Sequence, residues 1–103
     1  EIRLGAPVTF NDPNLVEATV PTLERVAGKD NVIVAPQATG AEDFAFYQEV
    51  IPGMFYYVGV TPPDVSLDEA APNHSPLFYV DEAALVLGAR SLAYVATDFL
   101  SAE

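Results

Sequence analysis

Met54-Phe-Tyr-Tyr-Val-Gly-Val60 is the stretch on which the reading of the fold turns. It is β-branched and aromatic, apolar on both faces, and it follows the helix-stopping pair Pro52-Gly53. Such a run predicts a central strand, because only a strand covered on two sides keeps both of its faces apolar. Working back toward the N-terminus, Asn31-Val-Ile-Val-Ala35 is a second β-branched run, closed by Pro36, and predicts a short buried strand. Between the two, Thr39-Gly-Ala-Glu42 has the spacing of a capping box ahead of Phe44, Tyr47, Gln48 and Ile51 at helical intervals.

Two further helices flank this centre. Asp12 and Pro13 supply an N-cap and a first-turn proline. Leu15, Val16, Thr19, Val20, Leu23, Val26 and Ala27 then share one face until Gly28, with Pro21 expected to kink or split the helix. Toward the C-terminus, Asp81 caps a helix whose stripe is Ala84, Leu85, Gly88, Ala89, Leu92, Val95, Ala96 and Phe99. Residues 1–10 carry Ile2, Leu4, Val8 and Phe10 in alternation, broken by Gly5 and Pro7, which reads as an edge strand or extended linker. Residues 61–79 hold four prolines and no period, so they form a long loop. Helices alternating with strands predict a layered α/β fold with parallel neighbours, although two strands are few for three helices.

Composition narrows the function. The chain has 103 residues, half of them hydrophobic, and fifteen acids against four bases give a net charge of −11. No Lys/Arg cluster exists to neutralise phosphates or anionic lipid, so neither nucleic acid nor membrane is expected as a partner. The longest uninterrupted apolar stretches fall well short of the roughly 20 residues of a membrane span. Without cysteine there is no disulfide, thiolate metal site or cysteine nucleophile in this chain, and the redox compartment stays open. Glu1 is not an initiator methionine, so residue 1 is not expected to be the natural start of translation.

Few residues remain that carry chemistry. His74, the single histidine, lies in Asn73-His-Ser-Pro76 with Pro72 and Pro76 stiffening its flanks. Histidine is the commonest metal ligand, but one imidazole without a second His or a Cys nearby reads, on residue types alone, as an exposed loop side chain. Glu42 and Asp43 follow Gly40 in the first turn of a helix, where free N–H groups would suit a substrate carboxylate. Capping by Glu42 and dipole complementation by Asp43 is the simpler account. Asp81-Glu82 has the same alternatives, with capping favoured more strongly. There is no G-x-S-x-G elbow, phosphate loop or H-E-x-x-H motif, so a self-contained active site is not expected.

Taken in order, Gly40-Ala-Glu-Asp-Phe44, Pro52-Gly53 with its aromatic strand and Gly59, Asn73-His-Ser-Pro76 and Asp81-Glu-Ala-Ala-Leu85 resemble the C-terminal part of the hippurate hydrolase and N-acyl-amino-acid amidohydrolase family of dinuclear metallopeptidases. Pro7-Val-Thr-Phe-Asn-Asp-Pro13 is similar to that family's return from a small lid domain to its catalytic domain. The resemblance implies the closing segment of a zinc-exopeptidase-like catalytic domain, with a mixed, mainly parallel sheet flanked by helices. Residues 1–10 would end the lid, or dimerisation, domain and its hinge, and 11–103 would be the C-terminal part of the catalytic domain.

It further implies hydrolysis of the amide bond of N-acyl or N-aroyl amino acids by metal-activated water. His74 would bind one of two divalent ions, with zinc, manganese, cobalt and nickel equally compatible. Gly40, Glu42 and Asp43 would lie at the substrate. No catalytic residue is assigned in this chain: the general-base Glu and the other ligands belong to upstream motifs, and neither Asp68-Glu69 nor Asp81-Glu82 matches their context. The implied partners are a small N-acyl amino acid, the rest of the same polypeptide, and a second copy through the lid. The isolated chain is expected to be inactive. Alternatives are a metal-dependent deacetylase or peptidase of the same superfamily, acting on N-acetyl-diaminopimelate or peptides, and a non-enzymatic acidic interaction module.

Overall fold

A computed structural model describes residues 5–102, so the alternation at Ile2 and Leu4 and the start of the expected lid segment lie outside the described residues. Helix α1 is Pro13–Ala27, a 3-10 turn follows at Lys29–Asn31, α2 is Phe44–Gln48 and α3 is Glu82–Ser101. The chain divides into two units, Glu1–Tyr57 and Val58–Glu103.

In the first unit, α1 starts and stops where its sequence dictates. Asp12 Oδ1 accepts from the N–H groups of Asn14 and Leu15 at 2.9 and 3.0 Å, satisfying two donors of the first turn. Gly28, at φ 90, turns the chain out of the helix while its N–H donates to Glu24 O at 2.9 Å. Pro21 does not split α1, which runs through it as one helix. Helix α2 is shorter than its apolar spacing predicts, ending at Gln48, with Val50 and Ile51 in turns that donate back to Tyr47 O.

The expected mixed, mainly parallel sheet is absent: among the described residues there is no β-strand. The physical reason is that a strand is defined by its ladder, and an apolar β-branched run supplies only one side of it. Val32 is extended (φ −101, ψ 109), yet Ile33 and Val34 that follow it are 78% and 98% exposed and no neighbouring backbone pairs with the run. Residues 54–57 are held instead by a side chain, Asn11, and by aromatic contacts: the Phe44 and Phe55 rings lie 5.7 Å apart and Phe55 meets Tyr57 edge-on at 5.3 Å.

In the second unit, residues 61–79 form the expected loop, built as successive turns closed by Val65 N to Pro62 O, Glu69 and Ala70 N to Ser66 O, and Phe78 N to Ser75 O. The Asp81 N–H donates to Val60 O at 2.8 Å, and the Asp81 carboxylate caps α3 through Ala83 N at 3.0 Å. The α3 stripe is not the buried face expected: Leu85, Leu92 and Phe99 are exposed, and Ser91 is the helix's one buried residue. Length and composition alone would let α3 cross a membrane.

Burial is sparse throughout. Among the described residues Leu23 and Ala45 are the buried apolar ones, with Thr22 and Ser91 the buried polar ones.

Candidate functional site

His74 occupies the third position of the turn Pro72–Ser75, closed by Ser75 N donating to Pro72 O at 3.1 Å. Its φ of 72 is the only left-handed backbone among described non-glycine residues. Histidine is one of the few side-chain-bearing types enriched in that region, yet the conformation carries strain of the kind that gathers at ligand-holding positions. The Ser75 hydroxyl accepts from Leu77 N at 3.2 Å and the Ser75 carbonyl from Phe78 N at 3.1 Å, so a second turn immediately follows the imidazole. The imidazole is exposed and makes no hydrogen bond within the chain among the described residues.

The Gly40–Asp43 turn lies in the first unit, and the first N–H groups of the helix that follows it are engaged by the turn's own acceptors. The Phe44 N–H donates to Glu42 Oε1 at 3.1 Å, Ala45 N to Glu42 O at 3.2 Å and Phe46 N to Asp43 O at 3.1 Å. Two expectations change accordingly. The capping box with Thr39 is replaced by forward capping from Glu42. The N–H groups expected to receive a substrate carboxylate are also occupied, in a helix of only five residues. Among its side chains the turn offers acceptors, the second Glu42 oxygen and the exposed Asp43 carboxylate.

Sequence reasoning passed over Asn11. Its Nδ2 donates to Phe55 O at 2.8 Å and its Oδ1 accepts from Phe55 N at 2.7 Å, while Asp12 N donates to Gly53 O and Phe10 N to Gln48 Oε1, each at 3.0 Å. Gln48 Nε2 is buried without a partner among the described residues. The only available signal was the position of Asn11 before a helix N-cap, which does not reveal a partner 44 residues away. A shallow cleft of about 290 Å³ beside this clamp is lined by Phe10, Gln48 and Gly53 among others, and one of about 380 Å³ in the second unit by Pro62, Tyr79 and Asp81 among others. Neither contains His74 or the acidic turn.

One imidazole fills one coordination position. Among the described residues no group of three or more His, Cys, Asp or Glu side chains is placed to hold a metal ion, so the residues present fit a contribution to a metal site and not a whole one.

Among the described residues, exposed apolar side chains and one imidazole on a left-handed turn are the features that stand out. The chain belongs to peptidase family M20/M25/M40, whose model matches residues 1–98. It is 39% identical to the IAA-amino acid hydrolase ILR1-like 6 of Arabidopsis thaliana, over 92% of this chain and 20% of that protein. It is 32% identical to thermostable carboxypeptidase 2 of Saccharolobus solfataricus, over 90% of this chain and 22% of that one. A match at 36% to a putative glutamate–cysteine ligase 2-3 of Rhodococcus jostii covers 85% of this chain and 11% of the ligase. The chain thus spans between about a tenth and a quarter of the length of these relatives. No solved structure matches it.

Proposed function

We propose that this chain is the C-terminal part of the catalytic region of a metal-dependent amidohydrolase that cleaves the amide bond of N-acyl or N-aroyl amino acids. Residues up to Phe10 end a preceding lid and hinge. The observation that carries the reading is His74: an exposed imidazole, without a hydrogen bond among the described residues, held on a left-handed turn between two prolines. Its neutral ring nitrogen would hold one of two divalent ions, whose identity the ligand type leaves open among zinc, manganese, cobalt and nickel. Such ions, when bound, supply an acidified water and polarise the scissile carbonyl. The remaining ligands and the general base come from elsewhere in the polypeptide.

Gly40, Glu42 and Asp43 lie at the substrate in this reading. With the N–H groups of Phe44, Ala45 and Phe46 engaged, the Glu42 and Asp43 carboxylates accept from substrate N–H groups, and recognition of the substrate carboxylate falls to other segments. The rest of the same polypeptide covers the exposed apolar side chains, and a lid-mediated homodimer completes the assembly. The interaction-module reading rests on that same bare surface, which a larger domain accounts for equally well.

The test is turnover of hippurate and N-acetyl amino acids by the intact protein, by its metal-stripped form, and by the 103-residue chain alone. The intact protein should be active, chelation should abolish activity and added metal restore it, and the isolated chain should be inert. Chelator-insensitive turnover, or chelator-sensitive turnover by the chain alone, would defeat the proposal. The similarity to a carboxypeptidase supports a second reading, cleavage at peptide ends, which a peptide panel in the same assay separates.

A further inference from the structure

We propose that Asn11 is a positioning residue for the acidic turn Gly40–Asp43, acting as a substitute peptide unit. Its carboxamide both accepts from and donates to the backbone of one residue, Phe55, at 2.7 and 2.8 Å. That reciprocal pair is what an opposing residue supplies in the hydrogen-bonded position of an antiparallel ladder. No strand occupies that position among the described residues, and a side chain does its work. The fixed Phe55 presents its ring to Phe44 at 5.7 Å, and Phe44 donates its N–H to the Glu42 carboxylate at 3.1 Å. Asp12 N to Gly53 O and Phe10 N to Gln48 Oε1 tie the same two segments on either side of the pair. Three consecutive residues ahead of α1 therefore set where α2 and the turn before it sit.

The inference rests on the proposed role of Glu42 and Asp43 at the substrate, and it deepens that role. Losing the pair lets Phe55 and Phe44 shift, so Glu42 samples more positions and binding weakens while the distant chemistry does not change. In the intact enzyme, Asn11→Leu should raise KM for an N-acyl amino acid about threefold to tenfold, the scale of one or two net hydrogen bonds. Its kcat and metal content should stay near wild type. Asn11→Asp gives a sharper readout. Ionised, the carboxylate still accepts from Phe55 N but faces Phe55 O with a second acceptor; protonated, it regains a donor and with it the original pair. The ratio of its KM to that of wild type should therefore fall toward one as pH is lowered from 7 through the carboxylate range to about 4.

Amide exchange at Phe44 reports the turn independently of turnover and should accelerate in Asn11→Leu beyond any global change. A folded, metal-loaded Asn11→Leu with unchanged KM and unchanged Phe44 exchange overturns the positioning role, as does a loss of kcat at constant KM. Should Asn11→Leu not fold, a pH-independent KM ratio in Asn11→Asp overturns it. A wild-type protein with no turnover, whose Asn11→Leu variant still shows accelerated Phe44 exchange, sinks the proposed reaction and leaves the positioning standing.

Discussion

Replacing His74 by glycine and by alanine separates the backbone of the turn from the imidazole it carries. Both variants delete the ring, and only glycine suits a φ of 72. The left-handed region costs a residue with a Cβ about 1–2 kcal/mol, and glycine costs about 0.4–1 kcal/mol through the greater freedom of the unfolded chain. The difference favours His74→Gly over His74→Ala by about 0.5–1 kcal/mol. Urea unfolding of the intact protein in its metal-free form, followed by circular dichroism, should give that order of midpoints with equal slopes. Metal content and amidohydrolase turnover should collapse in both variants alike, by orders of magnitude in activity. Greater stability of the alanine variant would refute the strained turn, and near-normal turnover with full metal occupancy in either variant would refute the ligand role.

Three other outcomes follow from the local geometry. Asp12→Ala removes the acceptor of two first-turn N–H groups and should cost about 1 kcal/mol by denaturant unfolding, with Asp12→Asn recovering most of it. Gly53→Ala places a Cβ 2.8 Å from Gln48 Cγ and 3.2 Å from the Phe44 ring, so it should destabilise by about 1–3 kcal/mol and shift the near-ultraviolet aromatic signal. The 103-residue chain alone should bind a hydrophobic dye and self-associate in sedimentation, slowed by its net charge of −11, whereas a dye-free monomer with cooperative unfolding would show it to be self-sufficient.

Both ends of α1 and the start of α3 were legible in the sequence because their determinants are local. Asp12, Pro13 and Gly28 act within four residues of the bonds they make, and Asp81 caps α3 as its type and position predict. The long proline-bearing loop was legible for the same reason. The sheet was misread because Val32–Val34 and Met54–Val60 have strand composition without a partner, and pairing is a long-range property that composition does not contain. The capping box failed more narrowly: the Thr39–Glu42 spacing put the helix start too early, since α2 begins at Phe44 and Glu42, ahead of it, caps forward onto Phe44 N. Of the candidate site, the turn around His74 was placed correctly as a loop, yet its left-handed backbone has no signature in Asn73-His-Ser-Pro76. Asn11 was out of reach, since nothing in its neighbourhood announces Phe55.

Helix α3 decides between two environments for its bare face, and one pair of substitutions tells them apart. At 100° per residue, Leu85, Leu92 and Phe99 fall on one side, with Arg90, Thr97 and Ser101 on the opposite side and Ser91, the buried residue, between them. A helix passing through lipid has no reason for that asymmetry, and Arg90 near its middle would cost about 2.5–3.5 kcal/mol on insertion scales. A helix with protein against two sides and water against the third has every reason for it. In the intact protein Leu92, 64% exposed in this chain, should then be covered by other segments of the polypeptide. Leu92→Lys would bury a charge and forfeit about 1.5–3 kcal/mol of apolar burial, for a loss above about 3 kcal/mol in all. Arg90→Leu, on the wet side, should fall within about 0.5 kcal/mol of wild type. Denaturant unfolding of the two variants reads the difference directly. A neutral Leu92→Lys would mean that the face stays bare in the intact protein, and a strongly stabilised, detergent-requiring Arg90→Leu would move α3 into the bilayer.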